Sequence, residues 1–177
     1  FDNATTARVT FSQNLPQNLR LHSSWGQGIA NPTFFELFGF TPKSFTGNPN
    51  LQPEESTSWD LGLSGSLLSE RVGFDLTYFS ADLTNEIETV FDMATFTSSP
   101  ANQTGNSQRH GWEMSMDAAI NEQLSVTAHW NFLHSRDPDA RVEVRRPEKS
   151  GSVSLHYTST NDQGRVSLQV LHNGRNQ

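Results

Sequence analysis

The order of apolar and polar residues along this chain restricts its fold more than their number does. From Leu124 to Phe132 every even position is apolar (Leu124, Val126, Ala128, Trp130, Phe132) and every odd one is polar (Ser125, Thr127, His129, Asn131). Successive side chains of a strand point to opposite faces, so the pattern describes a strand with one dry side and one wet side. Trp112, Met114, Met116 and Ala118 alternate in the same way with Glu113, Ser115 and Asp117, and Val72, Phe74, Leu76 and Tyr78 with Gly73, Asp75 and Thr77. Weaker copies occur at Val9/Phe11, Leu19/Leu21, Trp59/Leu61/Leu63, Val153/Leu155/Tyr157 and Val166/Leu168/Val170. Helical spacing is confined to Pro32 to Phe38, where Pro32 and Thr33 would open a short turn. The chain is predicted to be all-β, an antiparallel up-and-down meander of about eight strands.

The connections between these strands alternate in length. Short turns fall at Leu15 to Asn18, around Leu68 to Glu70, at Asn121 to Gln123 and around Asn161 to Gln163. Long ones run from Gly28 to Ser56, Glu88 to Gly105 and Arg136 to Pro147. In a meander every second connection emerges at the same end, so the short turns share one end and the long loops the other. Outer-membrane barrels are built this way. Only 33% of the 177 residues are apolar, against about 45–50% in soluble domains, as expected if they coat a single face. The polar positions are mostly Ser, Thr, Gly and Asn, which suits a hydrated lumen. Trp25, Trp59, Tyr78, Phe79, Trp112, Trp130, Phe132 and Tyr157 stand near strand ends, where interfacial aromatic girdles would lie. A net charge of -7 argues against a nucleic-acid partner, and with no cysteine there is no disulfide or thiolate chemistry.

Two segments carry more than a pattern. Trp25-Gly26-Gln27-Gly28-Ile29-Ala30-Asn31-Pro32-Thr33-Phe34-Phe35-Glu36-Leu37-Phe38-Gly39 is followed by Gly47-Asn48-Pro49-Asn50-Leu51-Gln52-Pro53-Glu54-Glu55-Ser56 and then by Thr57-Ser58-Trp59-Asp60-Leu61-Gly62-Leu63. This run resembles the barrel of TonB-dependent outer-membrane receptors, in which such a stretch joins two strands through an extracellular loop. Tyr78 to Ile87 and Asn106 with Arg109-His110-Gly111-Trp112-Glu113 resemble later strands of that family, with Ser107 in place of a glycine. Arg145-Arg146-Pro147 resembles a feature of its cobalamin- and siderophore-receptor branches.

The resemblance implies energy-coupled uptake of a siderophore-, haem- or cobalamin-like ligand across the outer membrane of a Gram-negative bacterium. It implies a 22-stranded transmembrane barrel around a plug domain, driven by TonB. Residues 1–177 would supply only part of the barrel, without plug or TonB box. An open, curved sheet is expected, with outer-membrane lipid, the rest of the barrel and the plug as its partners. A fragment of a diffusion porin and a soluble all-β binding module are the alternatives.

Candidate ligand contacts in the extracellular loops are Phe34, Phe35 and Phe38, an aromatic patch, and Arg141 and Arg145, whose guanidinium groups suit anionic ligands. The competing reading for the patch is packing within the loop, and for the arginines it is pairing with Asp137, Asp139, Glu143 and Glu148. No hydrolase elbow, zinc motif or phosphate loop occurs, so no catalytic residue, metal site or cofactor is expected. His129 and His134, five apart on a strand, face opposite sides. His22, His129 and His156 share the polar phase.

Overall fold

The computed structural model describes residues 5–139, 141, 146–161 and 163–174; Arg145, Glu143 and Asp162 lie outside them. Eight strands form one antiparallel sheet in chain order: β1 (Arg8–Leu15), β2 (Leu19–Ala30), β5 (Glu54–Leu67), β6 (Val72–Thr84), β9 (Asn106–Ala119), β10 (Leu124–Arg136), β11 (Lys149–Thr158) and β12 (Arg165–Asn173). Strands β1 and β12 are its two edges, so the sheet is open. The long connections hold the remaining elements: the one-turn helix α1 (Phe34–Phe38), and β3 (Phe40–Thr41), β4 (Phe45–Thr46), β7 (Ile87–Asp92) and β8 (Thr97–Asn102).

The register gathers the apolar phase of every strand onto one face. Leu21, Leu63, Leu76, Met114 and Trp130 stand in one row across β2, β5, β6, β9 and β10. Leu19, Phe74, Met116, Ala128, Val153 and Val170 share the row nearer the short turns. Among the described residues the sheet has no second layer, and Val166, Leu168 and Val170 on β12 are each more than 60% exposed. Soluble domains bury such a face against another element. The polar faces of the strands are knit by side chains instead. His22 Nε2 lies 3.0 Å from an Asp75 oxygen, whose other oxygen accepts from Thr77 Oγ1 at 2.7 Å, and Thr127 Oγ1 donates to Asp117. Ser23, a hydroxyl on the apolar face, donates to the main-chain carbonyl of Asp60 at 2.6 Å, which removes its need for water.

The rings sort by phase. Trp25, Trp59, Tyr78, Trp112 and Phe132 occupy two adjacent rows at the loop end of the apolar face. Centroids are 5.4 Å apart for Trp59–Tyr78 and 5.1 Å for Tyr78–Trp112. Phe79 does not belong to this girdle. It pairs with Asp60 and Gly111 in the opposite phase, so its ring is on the polar side. Trp130 sits mid-strand rather than at a rim. Its indole crosses Gly151 and stacks on His172 at 5.6 Å with 6° between planes. A Cβ at Gly151 would stand 2.2 Å from the indole, so only glycine lets one ring tie β10 to β12 across β11.

The short turns are tight and use left-handed backbone without glycine: Gln17 and Asn18 in the first, and Leu68, Ser69 and Glu70 in succession in the second. Each such residue costs roughly 1–2 kcal/mol, a cost offset by the pairing of the long strands that the turns join.

Gly151→Val should displace the Trp130 ring and lower stability by about 1–3 kcal/mol, as overpacking does. Gly73→Ala, where an added Cβ meets nothing within 4 Å, should be neutral. Thermal unfolding of the two variants, each in the full-length protein in detergent, checks the contrast.

Candidate functional site

The long connections converge at one end of the sheet, and the buried apolar side chains are found there. Leu37 and Leu51 are the only large apolar residues under 9% exposed among those described, and Pro100 in the next long loop is fully buried. Thr33 caps α1: its hydroxyl accepts from the Glu36 amide, and the Glu36 carboxylate accepts from the Thr33 amide at 2.6 Å. This is a complete capping box. Pro32 lies one residue before the cap, ahead of the turn as the sequence suggested.

The segment from Gly47 to Glu54 is the clasp of this end. Gly47 passes against the C-terminal backbone of α1; a Cβ there would lie 2.8 Å from the Leu37 carbonyl. The Gly47 amide donates to Gly39 O and the Asn48 amide to Glu36 O, occupying carbonyls that a helix end leaves open. Asn48 Oδ1 accepts from the Asn50 amide, and its Nδ2 reaches Pro100 O at 3.1 Å in the next long loop. Asn102 replies from that loop. Its Oδ1 accepts from the Gln52 amide at 2.8 Å, and its Nδ2 donates to Gln52 O and Asn85 O at 2.9 and 2.7 Å. Glu54 accepts from the Ile87 amide.

The long connection from Glu88 to Gly105 holds a hairpin. β7 pairs with β8, and β8 meets β4 in parallel at Phe45 and Ser98, completing a second four-stranded sheet. The third loop leans on this one where Pro138 meets Gly105.

The sequence candidates separate within this platform. Phe35 stacks on Phe45 with centroids 4.6 Å apart and 15° between planes. Phe34 and Phe38 face each other at 5.3 Å and remain 79% and 57% exposed. Arg141 lies 3.4 Å from Asp139, and its amide donates to Asp137. Arg145 is outside the described residues. A second aromatic pair, Phe91 with Phe96, stands with Met93 on the exposed β7–β8 turn. Sequence reasoning passed over it because the segment showed no alternation. Among the described residues no group of three potential metal ligands forms: His22 faces Asp75 and His156 faces Ser167. Ser107, which stands where the family pattern has glycine, is buried and its hydroxyl has no hydrogen-bond partner. An open cleft of about 1010 Å³ runs beneath the clasp, lined among others by Gln27, Leu51, Gln52, Glu55, Asp82 and Asn106.

An eight-stranded open meander with one bare apolar face, tight turns at one end and a folded loop platform at the other is an arc of barrel wall. The family model for the TonB-dependent receptor-like β-barrel matches residues 2–176, and the chain belongs to that family. Its relatives include the vitamin B12 transporter BtuB of Photobacterium profundum, 23% identical over 96% of this chain and 27% of that protein. Among solved structures, the siderophore receptor PirA from Acinetobacter baumannii superposes with a TM-score of 0.76 at 16% identity, covering 97% of this chain and 29% of that one. A mutant of the ferric enterobactin receptor PfeA from Pseudomonas aeruginosa, in complex with enterobactin, gives 0.77 at 14% identity over 96% and 28%. The chain thus spans under a third of each of these relatives. Members of the family are outer-membrane β-barrels of Gram-negative bacteria that take part in siderophore, haem, cobalamin and metal uptake.

Asn102→Ala removes two hydrogen bonds between the loops and one within its own, and should cost about 1–3 kcal/mol locally. Hydrogen exchange should show the amides of residues 85–105 losing protection while those of β9 and β10 keep theirs. The Asp92 carboxyl is held below the usual carboxylate range by the Ala94 amide and the Thr95 hydroxyl. Its folded pKa lies under the unfolded value of about 3.9, so its support of the hairpin turn is complete above that pH and fades as the pH falls through the depressed value. Exchange at the Ala94 amide should accelerate only in that acidic window, and Asp92→Asn should abolish the acid step.

Proposed function

We propose that this chain forms part of the barrel of an outer-membrane receptor that binds a siderophore-, haem- or cobalamin-like ligand at its loops. In this reading TonB drives uptake of the ligand. The observation that supports it most is the family match over nearly the whole chain, joined to a sheet whose apolar face meets no protein layer among the described residues. Lipid is the natural complement of that face, and the edges β1 and β12 require further strands, because unpaired main-chain groups are not tolerated in hydrocarbon. In this reading those strands and a plug come from the remainder of the receptor, and the chain carries no catalytic residues. BtuB is a vitamin B12 transporter and PirA a siderophore receptor; transfer of such a ligand class to this chain is part of the proposal.

Within the loop platform, Phe34 and Phe38 are the ligand-facing rings, while Phe35 anchors the patch through Phe45. Arg141 and Arg145 supply positive charge for an anionic ligand, with Asp139 competing for the former. Binding of ferric enterobactin, haem and cyanocobalamin to the full-length receptor tests the reading. One of the three should bind, with uptake lost in cells lacking TonB. Phe34→Ala with Phe38→Ala should weaken that binding by about tenfold or more, as loss of a central aromatic contact does, and leave the unfolding temperature unchanged. Phe35→Ala should lower both. Unaltered binding in the Phe34/Phe38 double variant would leave the patch a packing feature.

A further inference from the structure

The second, four-stranded sheet has two edges of different build. β3 is two residues long and runs into Pro42 and Lys43, features with which proteins blunt an exposed edge. β7, at the opposite edge, is six residues long, carries neither proline nor lysine, and is exposed from Glu88 onward. Among the described residues no strand lies beyond it.

The hydrogen bonds at the base of β7 fix which of its main-chain groups face outward. The Gln103 amide donates to Glu86 O on the β8 side, while the Ile87 amide turns the other way, to the Glu54 carboxylate. Main-chain groups of successive residues alternate in direction along a strand. Thr89 and Phe91 therefore point the same way as Ile87, away from β8. Thr89 is opposite Pro100, which has no N–H to give it. Glu54 thus fills the first place on this edge, and the main chain of Thr89 and Phe91 has no partner among the described residues.

The side chains along the edge select the partner. Glu88, Val90 and Asp92 share one face of β7, and residues 85–105 include no lysine or arginine. Glu86 pairs with Arg109 on β9, whereas Glu88 accepts from Gln103 and Asp92 from Thr95, and neither makes an ion pair among the described residues. A second copy of this chain, paired antiparallel about Val90, would set Glu88 against Asp92 twice, and like charges directly opposite destabilise a sheet. A strand with a basic residue on either side of an apolar one matches all three positions.

We propose that the β7 edge binds an extended, basic segment of a polypeptide, added as a fifth strand. The partner runs antiparallel, the direction in which Thr89 and Phe91 each exchange both hydrogen bonds with one residue. This goes beyond the small-molecule ligand proposed above. The main chain of Thr89 and Phe91 gives affinity, and the side chains between them give selectivity. Glu88, Val90 and Asp92 occupy the positions where cross-strand side chains approach most closely.

The test uses the full-length receptor in detergent and the capped, fluorescently labelled peptide TKTVTKT, read by anisotropy. Its lysines meet Glu88 and Asp92, and its valine meets Val90. Binding should weaken about tenfold or more with TETVTET, and equally with TKTVTKT N-methylated at the two threonines beside the valine, which removes two donors. Thr89→Pro deletes an outward N–H that an edge strand can spare. It should weaken TKTVTKT by about three- to tenfold at unchanged unfolding temperature. In the free receptor the Thr89 and Phe91 amides should exchange quickly, and the peptide should protect them. Absence of TKTVTKT binding overturns the proposal, as does equal binding of the methylated or the acidic peptide. Protection of both amides without peptide gives the edge to another part of the receptor, and a dimer abolished by Thr89→Pro gives it to a second copy. Either result overturns the proposal. Should Thr89→Pro lower the unfolding temperature, the methylated peptide on the wild type carries the comparison.

Discussion

The architecture depends on a sheet whose dry face, among the described residues, has no protein layer against it. In a soluble domain, apolar area withdrawn from water is the main favourable contribution to folding, and a face without a covering layer would forgo it. Here the main chain is satisfied laterally, strand to strand, and the side chains of the dry face are left for another medium. Much of the residue usage follows from that division. Ser23 turns its hydroxyl onto a backbone carbonyl, Gly151 gives up its side chain so that an indole can bridge three strands, and the polar face is bound by short side chains between strands.

The buried apolar side chains have moved out of the sheet to its loop end. Leu37, Leu51 and Pro100 come from two connections that are far apart in sequence. What joins them is hydrogen bonding by Asn48 and Asn102, whose side chains add to the short pairing of β4 with β8 between the loops. The run from Gly47 to Glu54, the most recognisable in the chain, is thus explained by mechanics before any ligand is invoked. Gly47 and Asn48 close on α1, and Asn48, Gln52 and Glu54 hold the neighbouring loop.

The sheet was legible in the sequence because both of its signals are local. Alternation within a strand gives the two faces, and the lengths of successive connections give the two ends. What escaped depended on partners distant in the chain. β8 contains Pro100 and two serines without alternation, and it is a strand because β7 and β4 pair with it. Phe79 was read by its type as a girdle residue, but its phase puts it on the polar side. The aromatic patch on α1 was visible, whereas the different standing of Phe35 and Phe34 rests on Phe45, held in a two-residue strand.

The linkage between the first two long loops also bears on motion. Because Asn102 holds both the amide and the carbonyl of Gln52 and β8 adds to β4, residues 31–53 and 85–105 form one stiff plate rather than two independent flaps. Such a plate can tilt as a unit about the strand ends beneath it, and it bends little along the seam. A molecule that touches only α1 therefore also sets the position of the Phe91–Phe96 turn.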